Sequence, residues 1–345
     1  MNSKEIFKKA VKLEKTERVP VIILSGGVWA YNEQGKSLQD SFDMSPEESA
    51  DYLINMNKKV KSDLIWCADG CNNLVLRALG AETAFSIPGK SAVANPFLSS
   101  PGDVDKLSLD KIKKDPGIIA MLESTKILKK KTGSQTMLAV SQWGPITLAN
   151  MMLGTTVFEK KLRKDRDSIL YLLEFAKEVV ITYWNLFLDA GVEHVSQAEP
   201  AASGDLISPR MFEDLVLPCL KYTNEKIGDK PFSKMIHICG NTTNFLDALP
   251  DTKADMFSMD YGVSLKIARE MLNGRMAFAG KMNPSEALLS GSTQKVREDC
   301  EACISDADWS RGGYIMMPGC DLPPNVPLEN LETMVRVAHS HTQTT

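Results

Sequence analysis

The apolar positions of this chain alternate between two rhythms. Short runs rich in β-branched and other apolar residues recur at 19–24, 63–67, 137–141, 193–197, 234–238, 256–259, 276–279 and 314–317. Each closes in a turn or polar cluster, and longer stretches of helical period, such as 168–188 and 209–226, fill the gaps between them. Strands alternating with helices predict βαβ units and a parallel sheet. Eight such units in one chain predict an α/β fold of the (β/α)8 TIM-type barrel. Residues 68–136 are long for one connection, so a helical excursion is expected after the second strand. No repeat, low-complexity tract or linker divides the chain, and residues 1–345 read as a single domain. An N-terminal helical segment is expected over 1–17 and a frayed tail over 340–345.

Composition narrows the class. A hydrophobic content of 43% is ample for a large core. The formal net charge is −4, and the lysines and arginines are scattered among acids, so no basic face points to nucleic acid or an anionic membrane. The cluster Lys129-Lys130-Lys131 reads as a solvated helix end. No apolar run reaches the roughly 20 residues that cross a bilayer, and residues 1–17 lack the apolar core of a secretory signal. The chain reads as cytoplasmic. Its seven cysteines show no disulfide-framework spacing, so they are expected as buried thiols, metal ligands or nucleophiles.

In a barrel, chemistry gathers where the C-terminal ends of the strands meet their loops. In Met235-Ile236-His237-Ile238-Cys239-Gly240, period-two alternation puts His237 and Cys239 on one face, with Ile236 and Ile238 on the other. A histidine beside a cysteine is a start for a zinc site. Cys320, in Met316-Met317-Pro318-Gly319-Cys320, follows the last strand and reaches the same mouth from 81 residues further along the chain. Three ligands with an open fourth position describe a catalytic zinc rather than a structural one. Two thiolates neutralise the ion, which favours alkylation of a bound sulfur over activation of water. Glu199, ending the fourth strand, is a candidate for the fourth position without substrate. Cys67 and Cys71 are a minor alternative as ligands. Cys219, Cys300 and Cys303 fall in helical patterns and read as core or surface thiols.

These residues resemble the uroporphyrinogen decarboxylase superfamily, and within it the corrinoid-dependent methyltransferase branch. The segment His237-Ile238-Cys239-Gly240-Asn241-Thr242-Thr243 is similar to the H-x-C-G motif of methylcobamide:coenzyme M methyltransferases. Pro318-Gly319-Cys320-Asp321-Leu322-Pro323-Pro324, followed by Val326-Pro327-Leu328-Glu329-Asn330, is similar to the closing motif of that branch. Further landmarks occur in order: Gln142-Trp143-Gly144-Pro145, Glu199-Pro200-Ala201-Ala202, and Gly280-Lys281-Met282-Asn283-Pro284. The resemblance implies that the histidine and both cysteines bind zinc, and that a corrinoid arrives on a partner protein. The chain lacks the D-x-H-x-x-G pattern by which corrinoid carriers ligate cobalt, so it does not read as a carrier itself. Two departures bear on substrate. Decarboxylases carry an arginine-rich segment after the first strand, whereas Leu24-Ser25-Gly26-Gly27-Val28-Trp29 has no arginine. Lys281 stands where the superfamily commonly has Gly-Asn, either a tolerated surface change or a contact to an anionic group.

The branch runs methyl transfer in both directions, onto a thiol such as coenzyme M or from a donor such as a methoxylated aromatic. The sequence leaves the direction open. Trp29, Trp66 and Trp143 fall near strand ends, and Trp29, Trp143 and Asn241 are the candidate cofactor contacts. No arginine stands out near the mouth for a sulfonate; Arg77, Arg210 and Arg275 lie in helical patterns or turns. Glu199 and Asp260 are the candidate catalytic acids, and Asp69 is a further strand-end acid. His194 begins its strand and is expected to pack in the core, while His339 and His341 belong to the tail. The expected partners are a corrinoid protein and a small methyl donor or acceptor, with self-association left open. The competing reading is a metal-free decarboxylase or lyase of porphyrin metabolism on the same fold.

Overall fold

The computed structural model describes residues 1–24, 26–68, 70–86, 89 and 91–344. Its strands, in chain order, are β1 Leu64–Trp66, β2 Thr83–Phe85, β3 Ser91–Val93, β4 Met137–Trp143, β5 His194–Ala198, β6 Ser233–Ile238, β7 Met256–Met259, β8 Ala277–Met282 and β9 Tyr314–Pro318. Seven of them form one parallel sheet in the order β1-β4-β5-β6-β7-β8-β9.

The two edges of that sheet meet through the segment predicted as the first strand. Ile22 donates to the Met316 carbonyl at 2.9 Å, Met316 to Pro20 at 2.8 Å, and Asp63 to Val21 at 2.8 Å. The barrel therefore closes, yet residues 19–24 form only an isolated parallel bridge, Val21 to Met316, rather than a regular strand. Two causes are visible. Pro20 has no N–H to give, and the N–H of Val21 goes to the Asp63 carboxylate at 2.8 Å instead of to a ladder carbonyl. Arg18 grips that same carboxylate through two guanidinium nitrogens.

Alternation along the strands separates two cores. Leu64, Trp66, Met137, Ala139, Met235, Met256, Ala277, Ala279, Ile315 and Met317 point inward with Ile22 and Leu24. Their neighbours Ile65, Leu138, Val140, Val195, Ile236, Phe257 and Phe278 point outward and pack under the helices. The helix Ser3–Val11 plugs the N-terminal end of the barrel, its Phe7 ring edge-on to His194 with centroids 5.3 Å apart. That helix is shorter than the expected span of 1–17. The tail is also not frayed through 344: Thr342 bridges Arg18, and Gln343 bonds Glu17 and Thr16 through backbone and side chain.

The excursion after β1 holds the expected helices, Leu74–Leu79 and Pro116–Thr132, together with an antiparallel β2–β3 hairpin. The helix expected over 209–226 is interrupted by a π-helical turn at Phe212–Val216. Pro218 cannot donate to the Asp214 carbonyl four residues back, and Arg166 donates to that carbonyl instead at 3.0 Å. Among the described residues, no helix is long and apolar enough to cross a membrane.

Candidate metal centre

β6 ends in His237-Ile238, and its inward face carries Met235 and His237. Cys239 follows in the loop, and Cys320 enters from the loop after β9. The ligand atoms of His237, Cys239 and Cys320 all lie within 4.8 Å of one another. Cys239 Sγ stands 3.3 Å from His237 Nε2 and 3.6 Å from Cys320 Sγ. A tetrahedral zinc with Zn–S of about 2.3 Å and Zn–N of about 2.0 Å needs S···N near 3.5 Å and S···S near 3.8 Å. Both separations from the Cys239 sulfur match that ion to within a few tenths of an ångström.

The surroundings orient the ligands. The other ring nitrogen of His237, Nδ1, is 2.8 Å from Ser258 Oγ on β7. With Nε2 turned to the sulfurs, Nδ1 carries the proton and donates it to the serine, which fixes the tautomer and the ring plane. Gly240 takes φ +75°, and a Cβ there would fall 2.2 Å from Ser203 Oγ and 2.3 Å from Asp205 Oδ2, so only glycine lets the Cys239 loop pack this closely. The Gly240 N–H donates to Asp260 Oδ2 at 2.9 Å and the Asn241 N–H to Asp205 Oδ2 at 3.2 Å. The charges of the cluster are coupled. A hydrogen bond from Cys239 and the nearby His237 draw Cys320 down to about 5, against burial. The same hydrogen bond, reinforced by burial, pushes Cys239 up. His237 is raised, because the Cys320 thiolate outweighs the burial that opposes its charge. Zinc binding would take both cysteines as thiolates and His237 as the neutral imidazole, releasing the protons they hold.

A cavity of about 130 Å³ opens beside the cluster, with His237, Cys239 and Asp321 in its wall. Trp66 and Trp143 flank it, and Ser141 and Ser196 lie deeper. Trp143 also borders a larger, mainly apolar cavity of about 810 Å³ on the outer side of the mouth. Among the described residues lining the smaller cavity there is no lysine or arginine. Arg77, Arg210 and Arg275 are committed elsewhere, to Asp115, Asp214 and Asp247. Lys281, on β8, is likewise absent from the cavity wall.

The remaining sequence candidates separate clearly. Glu199 is fully buried, and its carboxylate accepts from the N–H groups of Ile146 and Thr147 and from Thr147 Oγ1 at 2.7–2.9 Å. It caps the helix Pro145–Leu153 and is not one of the clustered ligands. Burial raises its pKa to about 7, against those hydrogen bonds. Asp260 accepts from the backbone N–H groups of Gly240, in the Cys239 loop, and of Gly262 in its own. Asn241 turns its side chain onto Thr243 of its own loop. Trp29 is 1% exposed in the helix Gly26–Glu33 and donates to the Val326 carbonyl, which takes it out of the cavity wall. Trp143 does stand in the wall, its Nε1 donating to Asn73 Oδ1 at 2.7 Å. Cys67 and Cys71 belong to the outward core beneath the helices and not to the cluster, because Trp66 takes the inward position of β1. Asp69 lies outside the described residues. Ser258 and Ser196 were not singled out in the sequence; their inward register on β7 and β5 was readable, but serine there looks like any small residue.

The family described as Uroporphyrinogen decarboxylase (URO-D) matches residues 2–341. Among curated proteins, the chain is 25% identical over 271 residues to a methylcobamide:CoM methyltransferase, MtaA, of Methanosarcina barkeri, covering 77% of this chain and 76% of that one. It is 30% identical over 237 residues to the methylcobamide:CoM methyltransferase MtbA of Methanosarcina mazei, covering 68% of each. Among solved structures, a methyltransferase from Methanosarcina mazei superimposes with TM-score 0.84 over 99% of both chains at 23% identity, which supports the barrel fold. With a family match running almost end to end over a closed parallel barrel, this chain belongs to the uroporphyrinogen decarboxylase (URO-D) family.

Proposed function

We propose that this chain is a corrinoid-dependent methyltransferase, which moves a methyl group between a corrinoid carried by a partner protein and a small molecule bound at zinc. The observation that carries the reading is the His237-Cys239-Cys320 cluster, spaced for a tetrahedral ion and open on one side to a substrate-sized cavity. Its curated relatives named as methylcobamide:CoM methyltransferases support the same class. Bound there, zinc would supply Lewis acidity, holding a thiol as thiolate or stabilising a phenolate as it leaves. The protein's own residues do the rest. Ser258 fixes the histidine tautomer, Asp260 and Asp205 hold the Cys239 loop, and Trp143 walls the approach. Two thiolate ligands favour sulfur as the methyl acceptor, and a methoxylated aromatic donor is the second reading, favoured by the indoles of the cavity wall.

Metal analysis and corrin absorbance test this together. Purified protein is expected to hold zinc at one equivalent and to change the spectrum of free cob(I)alamin or methylcobalamin with a thiol or a methoxylated aromatic. The Cys239→Ala, Cys320→Ala pair should lose both properties. Absence of stoichiometric zinc, or full activity in the double variant, would overturn the proposal in favour of metal-free chemistry on this fold.

A further inference from the structure

Two cavities meet at the mouth of the barrel, and a hydrogen-bonded indole stands between them. Trp143 and Pro200 line both the cavity of about 130 Å³ beside the cluster and the outer, mainly apolar one of about 810 Å³. β3 and the segment after it also run past both, with Ser91 on the first and 93–96 on the second. Trp143 is half-buried at the end of β4, and its ring nitrogen holds it in place. The Nε1–H donates to Asn73 Oδ1 at 2.7 Å, and Asn73 Nδ2 donates to the Ser91 carbonyl at 2.8 Å. Ser91 Oγ in turn donates to the Gly70 carbonyl at 2.8 Å. An indole N–H only donates and a carbonyl only accepts, so one orientation of the Asn73 amide satisfies both. Asn73 and Ser91 are buried, which strengthens these bonds by shielding them from water. Behind the indole, the outer cavity has room to receive the ring.

Size then decides what reaches the metal while the indole stays in place. A cavity of about 130 Å³ is close to the roughly 150 Å³ that takes a benzene-sized guest. A second fused ring needs space that Trp143 closes off. We infer that Trp143 is a specificity-determining residue, pinned by Asn73 as its positioning residue, that limits the group bound beside the metal to a single aromatic ring. When the pin breaks and the indole swings outward, the two cavities join and a larger arene fits. The inference rests on the methyltransferase reading above, since it takes the cluster as the substrate's anchor.

Cobalt(II)-substituted protein gives a readout that needs no turnover, because thiolate coordination changes the visible spectrum. Benzenethiol and 2-naphthalenethiol present the same kind of sulfur and differ by one ring, so their affinity ratio reports the space around the metal. Apolar burial alone favours the larger thiol. The wild type is instead expected to bind benzenethiol at least about ten-fold tighter, the cost of forcing a ring into occupied space. Trp143→Ala should shift that ratio at least about ten-fold toward 2-naphthalenethiol. Asn73→Leu keeps the indole and removes the pin, so its shift should be about three- to ten-fold, the worth of one hydrogen bond. Trp143→Phe, which lacks the Nε1–H, should shift the ratio likewise, and decides the point should Asn73→Leu not fold. A wild type that prefers the larger thiol, or an unchanged ratio in Trp143→Ala, would overturn the partition while leaving the metal centre standing. An unchanged ratio in Asn73→Leu would overturn the pin. Failure of the wild type to take up cobalt, or no spectral response to either thiol, would overturn the metal reading and this inference with it.

Discussion

Two histidines on adjacent strands show how position along a strand decides a residue's chemistry. His237 stands at the C-terminal end of β6, where it meets two thiols; His194 stands at the start of β5, facing the plug helix. His194 is fully buried, with Nδ1 2.7 Å from Ser233 Oγ, and burial lowers its pKa to about 3. It is neutral in the folded protein, whereas in the unfolded chain it takes a proton near pH 6.5. The unfolded state thus binds more protons as pH falls, and stability drops between about 6.5 and 3 by up to about 1.4 kcal/mol per pH unit from this residue. Urea unfolding at a series of pH values should show a shallower decline in His194→Gln than in wild type. Parallel declines in the two proteins would refute the assignment.

At the scale of elements, acids in the loops after β5 and β7, Asp205 and Asp260, hold the backbone of the loop that carries Cys239. Glu199 is the instructive case. A carboxylate at a strand end near three ligands reads as a fourth ligand, and the structure instead gives it the N-terminus of the helix Pro145–Leu153. Gly144 permits this, since a Cβ there would lie 2.3 Å from Glu199 Oε1. Glu199→Gln would turn one amide group toward donors that need an acceptor, at a cost of about 1–3 kcal/mol. The expected result is a lower thermal midpoint with zinc content unchanged. Loss of zinc with the midpoint preserved would return Glu199 to the metal. The motif was legible in the sequence and its use was not, because strand period shows which face a residue takes but not which backbone groups await it there.

Across the whole molecule, the barrel depends on its floor as much as on its mouth. Phe7 is fully buried and belongs to the inner core, so the plug helix is part of the packing rather than an appendage. Phe7→Ala should cost about 3–5 kcal/mol, measured by urea unfolding, while leaving the His237-Cys239-Cys320 cluster at the far end of the strands intact. An effect below about 1 kcal/mol would show that the helix merely rests on the barrel. Strand and helix periods, the order of βα units and the pairing of His237 with Cys239 on one face were set by local pattern alone, since alternation is a property of the backbone itself. Tertiary structure decided what separation along the chain conceals. It brought Cys320 to 3.6 Å from Cys239, drew residues 19–24 in to close the barrel without a regular strand, and buried Trp29 away from the cavity. Each of these depends on which surfaces meet when the sheet curls into a closed cylinder, and contacts between distant segments leave no period in the sequence.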